Sequence, residues 1–122
     1  MAIHLMTLPE ITGHDVYELL YAHRWGEDLP HEAQSAAFWK AENRYLSDDA
    51  DGRGLDALVP ALSQVCPDFN WYGPNRVTLA QWREVEGLHL RDHPEDRDFF
   101  RAVGRWLEEG NRGADWFWLM GP

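Results

Sequence analysis

Residues 71–93, WYGPNRVTLAQWREVEGLHLRDH, constrain the fold more than any other stretch, because both ends of a helix are written into them. Thr78 with Gln81 three residues on is a capping box, in which each side chain satisfies a backbone N–H at the helix start. Leu79, Trp82 and Val85, with Leu88 or His89 next, give that helix an apolar face. Pro94 forces its end, since proline cannot continue the hydrogen-bond ladder. The spacing predicts a helix over residues 79–92.

The same periodicity extends the helical reading to most of the chain. Val16, Leu19, Leu20 and His23 lie at i, i+3, i+4 and i+7, after a start at Thr12-Gly13-His14-Asp15, and predict a first helix ending near Arg24. Pro30 suits the first position of a second, running to about Leu46 with Ala33, Ala37, Phe38, Ala41 and Tyr45 on one face. Leu55, Leu58, Val59, Leu62, Val65 and Cys66 make the cleanest stripe, a third helix interrupted by Pro60. Phe99, Phe100, Val103, Trp106 and Leu107 mark a fifth, between Glu95-Asp96 and Gly110. The fold expected is therefore mainly α: one domain over residues 1–122, a compact bundle of about five helices. Of two apolar terminal runs, residues 3–8 read as a strand and 114–120 as either a buried strand or a last piece packed across the helices, and a small two-stranded ribbon joining them is one arrangement open to them.

Charge excludes whole classes of partner. Twenty-one acidic residues against eleven basic ones leave a formal net charge of −10, which repels nucleic-acid phosphate and anionic membrane and attracts a basic protein. No apolar run approaches the roughly 20 residues of a bilayer span, and the N-terminus shows no secretory signal. A lone cysteine, Cys66, permits no intrachain disulfide and reads as a buried structural thiol. The setting expected is cytoplasmic.

Chemistry-bearing patterns are few. Glu86, His89 and His93 share a helix face, half of a carboxylate-bridged di-metal pattern, and could hold zinc with a further ligand such as His23. No second Glu-x-x-His accompanies them, so the expectation is no cofactor, with zinc as the alternative. Asp49-x-Asp51-Gly52 only half resembles a calcium loop, since the later ligands and the closing Glu are missing. No serine sits in a nucleophile elbow, and no glycine-rich phosphate loop follows a strand.

The aromatic turn is the stronger signal. Trp, Tyr and Arg dominate binding hot spots, and Trp71, Tyr72 and Arg76 cluster here with Asn75 as an adaptable polar partner. Asp48, Asp49 and Asp51, in a polar loop, are candidate contacts to a basic partner. In broad character the chain resembles the small, acidic, Trp-rich cytoplasmic proteins that neutralise toxins in immunity pairs, a likeness of composition that assigns no residue a role. The leading expectation is a non-enzymatic protein-binding domain of this inhibitor type. A small metal-dependent enzyme or sensor at Glu86, His89 and His93, and an oligomeric structural module with an aromatic interface, are the alternatives.

Overall fold

A computed structural model describes residues 2–11, 15–47 and 54–122. It corrects the expectation of a five-helix bundle, because at its centre is a four-stranded antiparallel sheet in the order β2-β1-β4-β3. The strands are β1 (Val16–Tyr21), β2 (Arg44–Ser47), β3 (Pro74–Thr78) and β4 (Trp116–Met120). The helices are α1 (His31–Ala36), α2 (Val59–Val65), α3 (Leu79–Asp92) and α4 (Arg97–Gly110). None of the described helices is long and apolar enough to cross a membrane.

The expected first helix is β1. Leu19 and Leu20 are consecutive and both wholly buried, which a strand achieves by sending them to opposite faces. Leu19 and Tyr21 join the main core, while Leu20 joins a second cluster on the far side. A run apolar on both faces has no diagnostic period, so the helical spacing there was coincidental. The expected helix start at residues 12–14 lies outside the described residues. The second predicted helix survives only as α1, none of whose residues is buried. The chain turns at Trp39, whose φ of +58° is rare for a side chain with a Cβ, and returns as β2.

The later elements follow the sequence more closely. A 3-10 turn, Leu55–Leu58, leads into α2, with Pro60 in its first turn, where a missing N–H leaves nothing unpaired. Thr78 and Gln81 form the expected capping box on α3, each backbone N–H donating to the other's side-chain oxygen at 3.0 Å. A 3-10 turn, Pro94–Asp96, precedes α4.

The two terminal runs do not form a ribbon. Residues 3–8 meet the sheet at one bridge, where Met6 and Tyr45 exchange backbone hydrogen bonds of 2.9 Å along the outer edge of β2. The C-terminal run is a strand, but it pairs with β1 and β3 at the sheet centre. β3 is the other edge and opens with Pro74, a residue with no N–H to offer a ladder.

Helices α2, α3 and α4 cover one face. Trp106 of α4 lies flat on Tyr21 at 4.4 Å, and Tyr21 Oη–H donates to the Trp106 carbonyl at 2.9 Å. The second face carries Leu20, Trp118 and Met120, covered by Ala37 and Phe38 from the connection after α1. There Glu18, buried in the sheet, accepts three hydrogen bonds of 2.8 Å on Oε2, from Trp39 N–H, Asn43 Nδ2–H and Tyr45 Oη–H. Asn43 also donates to the Ala37 carbonyl at 2.8 Å, so the connection is tied to the sheet through one carboxylate.

Burial, the hydrogen bond to Glu18 and the Glu18 charge push the Tyr45 phenol well above its ordinary value, and burial raises Tyr21. Both phenols then keep their protons longer folded than unfolded. Their contribution to stability is full below about pH 10, where the unfolded phenol titrates, and is lost as pH rises toward the folded values. Alkaline titration followed at 295 nm should show at least two tyrosines, Tyr45 and Tyr21, ionising only together with unfolding. All four ionising before the fold is lost would contradict the buried phenols.

Candidate functional site

Four residues of the aromatic turn were expected to act together, and the fold separates them. Trp71 packs edge-on against Phe69 at 4.6 Å, and both lean on the main core. Asn75 is a structural pin. Its Nδ2–H donates to the carbonyls of Asn70 (2.7 Å), Gly73 (3.2 Å) and Leu119 (3.1 Å), while its Oδ1 accepts from Asn70 N–H at 2.6 Å. Asn70 Oδ1 in turn accepts from Tyr72 N–H at 3.0 Å. Gly121 closes the turn from outside, donating its N–H to the Gly73 carbonyl at 3.0 Å. A Cβ on Gly121 would collide with the Trp71 carbonyl, so this approach requires glycine.

The outcome is a rigid turn with one large aromatic side chain on display. Tyr72 is 84% exposed, far more than Trp71. Arg76 lies on β3 and faces the second side of the sheet, its guanidinium carbon 4.1 Å from the centre of the Trp116 ring. Asp48, Asp49 and Asp51, and the half calcium loop with them, lie outside the described residues.

The histidines of α3 are placed quite differently from an open ligand set. His89 is buried, with Nε2 2.6 Å from Asp96 Oδ2, and Asp96 Oδ1 accepts the Ile3 N–H at 2.7 Å. That contact assigns a proton to Nε2, which then points its hydrogen at the carboxylate. His93 is exposed, stacked on the His89 ring at 4.7 Å, with Nδ1 3.7 Å from Glu95. Glu86 borders a different cleft, beside Trp82 and Phe100, from the one His89 and His93 share with Pro60 and Gln64. Among the described residues no group of three or more His, Cys, Asp or Glu is arranged to hold a metal ion. His23, the suggested further ligand, is exposed and stacks beside Tyr21 at 5.8 Å. Partial desolvation, with Arg112 and Arg24 nearby, lowers its pKa. Cys66 is half-buried rather than buried, and desolvation, with Glu84 nearby, raises its thiol pKa, the reverse of an activated nucleophile.

A feature the spacing arguments missed lies on the second sheet face, between β3 and the residues that follow β1. It is a groove of about 660 Å³ bordered by Trp25, Trp116 and Trp118, with Arg76 and Pro74 on the strand side and Glu27, Asp28 and Leu29 opposite. Trp118 meets Trp25 and Trp116 edge-on at 4.7 and 5.0 Å, and its Nε1–H donates to the Trp25 carbonyl at 3.1 Å. The signal in the sequence was the alternation of Trp116 and Trp118 with Phe117 and Leu119. A strand apolar on both faces needs a cover on each, and α1 with its connection is too short to cover all of the second.

Comparison with known protein families, curated proteins and solved structures finds no match for this chain.

Proposed function

We propose that this chain is a non-enzymatic protein-binding domain that masks a basic partner protein, in the manner of an immunity-type inhibitor. The observation that carries the reading is Tyr72, 84% exposed at the tip of a turn whose backbone is pinned by Asn70, Asn75 and Gly121. A large amphipathic side chain held on a stiff support binds with little ordering cost, which is how aromatic anchors act at interfaces. The net charge of −10 supports a basic partner, drawn in by long-range attraction that salt screens. A cytoplasmic setting belongs to the same reading, since one half-buried cysteine calls for no oxidising compartment.

The test is capture from extract of the source cell on immobilised protein, at low and high salt, with Tyr72→Ala beside the unaltered chain. A basic protein should be retained at low salt, and Tyr72→Ala should weaken its binding about tenfold or more. Thermal unfolding of Tyr72→Ala should match the parent, because the side chain touches solvent over most of its surface. Retention of no protein under either salt condition, or full retention by Tyr72→Ala, would overturn the reading.

A further inference from the structure

We infer that the groove beside β3 receives an arginine side chain carried on an extended segment of the basic partner, an inference that rests on the protein-binding reading above. The groove has the chemistry of a guanidinium site on both counts that matter, aromatic faces and unpaired carboxylates. Trp25 and Trp116, both half-buried, supply the first, above a buried Trp118. The molecule already shows the match, because its own Arg76 lies over Trp116 at 4.1 Å.

Glu27 and Asp28 supply the second. Both are exposed, and neither forms an ion pair with a described residue, whereas Glu42, Glu95 and Asp98 are each paired with a neighbour. Their backbone is fixed in advance. The Gln34 side-chain amide donates to the carbonyls of Gly26 (3.2 Å), Glu27 (3.1 Å) and Leu29 (2.9 Å), and Leu29 N–H closes the turn onto Gly26 at 3.1 Å. One glutamine thus holds two free carboxylates at the rim of an indole-lined groove. Leu29, 38% exposed, adds apolar surface for the aliphatic stem.

Arg76 occupies the opposite wall with Pro74 and is partly balanced by the Trp116 face beneath it. An entering cation is therefore drawn to the Glu27–Asp28 side, its plane against Trp25 and its stem over Leu29. Arginine fits better than lysine, since a planar guanidinium stacks on an indole and engages carboxylates through two parallel N–H bonds. The β3 edge beside the groove has an open Arg76 N–H, as Arg76 lies at a non-hydrogen-bonded position opposite Trp118, which suits an extended backbone.

The probe is the blocked tripeptide Ac-Leu-Arg-Leu-NH2, titrated into the full ¹⁵N-labelled chain with the indole N–H resonances as readout. The Trp25 and Trp116 indoles should move and saturate, Ac-Leu-Glu-Leu-NH2 should leave them in place, and Glu27→Gln with Asp28→Asn should weaken binding about fivefold. Indoles unmoved by the arginine peptide, equal response to the glutamate peptide, or undiminished affinity of the double variant would each overturn the inference. The two readings fail separately. A partner whose capture depends on Tyr72 but not on Glu27 and Asp28 removes the groove and leaves the epitope. Saturable arginine binding without any captured partner removes the protein-binding reading and leaves the groove.

Discussion

Glu18→Ala should lower the free energy of unfolding by about 3–5 kcal/mol, the largest loss expected from any single polar change among the described residues. The substitution removes one acceptor and strands three donors, Asn43 Nδ2–H and Tyr45 Oη–H in a buried setting and Trp39 N–H in a partly buried one. Each stranded donor costs about 1–3 kcal/mol of desolvation, partly relieved where Trp39, itself 59% exposed, swings out to water. Trp39 has reason to move, because its φ of +58° is held in place by that carboxylate. Its ring should leave the face of Tyr45, on which it stacks at 5.7 Å. Glu18→Gln keeps a carbonyl acceptor and should recover a good part of the loss. Urea unfolding followed by circular dichroism measures all of this. A loss under about 1 kcal/mol for Glu18→Ala would show that the carboxylate does not hold the connection.

Asp96→Ala should cost about 3 kcal/mol and loosen a part of the chain far from it in sequence. Asp96 is 2% exposed and takes the His89 Nε2–H on one oxygen and the Ile3 N–H on the other. Without it both donors are stranded, and the N-terminal segment loses its tie to the α3–α4 corner. For a domain of this size that corresponds to a fall in melting temperature on the order of 10 °C. Asp96→Asn keeps an acceptor for one of the two donors and should lie between parent and Ala. Amide exchange gives the decisive readout. The Ile3 N–H should be protected in the parent and exchange freely in Asp96→Ala. An Ile3 amide that remains protected would mean that the core packing of Ile3 and the Met6–Tyr45 bridge hold the segment without Asp96.

What could be read in the sequence divides along physical lines. α3 and α4 were legible because each has a one-sided stripe and a written boundary, the Thr78–Gln81 box for one and Pro94 with Gly110 around the other. β1 was not, because Val-Tyr-Glu-Leu-Leu-Tyr is covered on both faces and its apolar residues satisfy a helical spacing as readily as a strand. Its valine and two tyrosines favoured a strand, a weaker cue than the period. β2 is only four residues, too short to show any period before the chain turns. β3 was hidden inside a proline- and glycine-rich segment that reads as a turn.

The site was partly legible for the same reason. The aromatic turn could be located, but which of its side chains faces solvent, and the separate directions of Trp71, Asn75 and Arg76, depend on a strand the sequence concealed. His89 offered a helical spacing suited to a metal, while its partner, Asp96, sits on the next turn and could be found only in three dimensions. The groove required β4, the approach of Trp25 and the edge position of β3 at once.

The position of β4 has a consequence for how the molecule is assembled over time. β1 with β2, and β3 with α3, are each made of segments close in sequence, yet among the described residues the hydrogen-bonded ladder from one group to the other runs through Trp116–Met120. As residues emerge in order, the β1–β2 pair and the single strand β3 therefore stay unconnected, the pair with one open flank and β3 with both sides open, until β4 slides between them. Closing so long a loop is the slow, late event expected of non-local strand pairing. During that interval the flanks of β1 and β3 are open to strands from other chains.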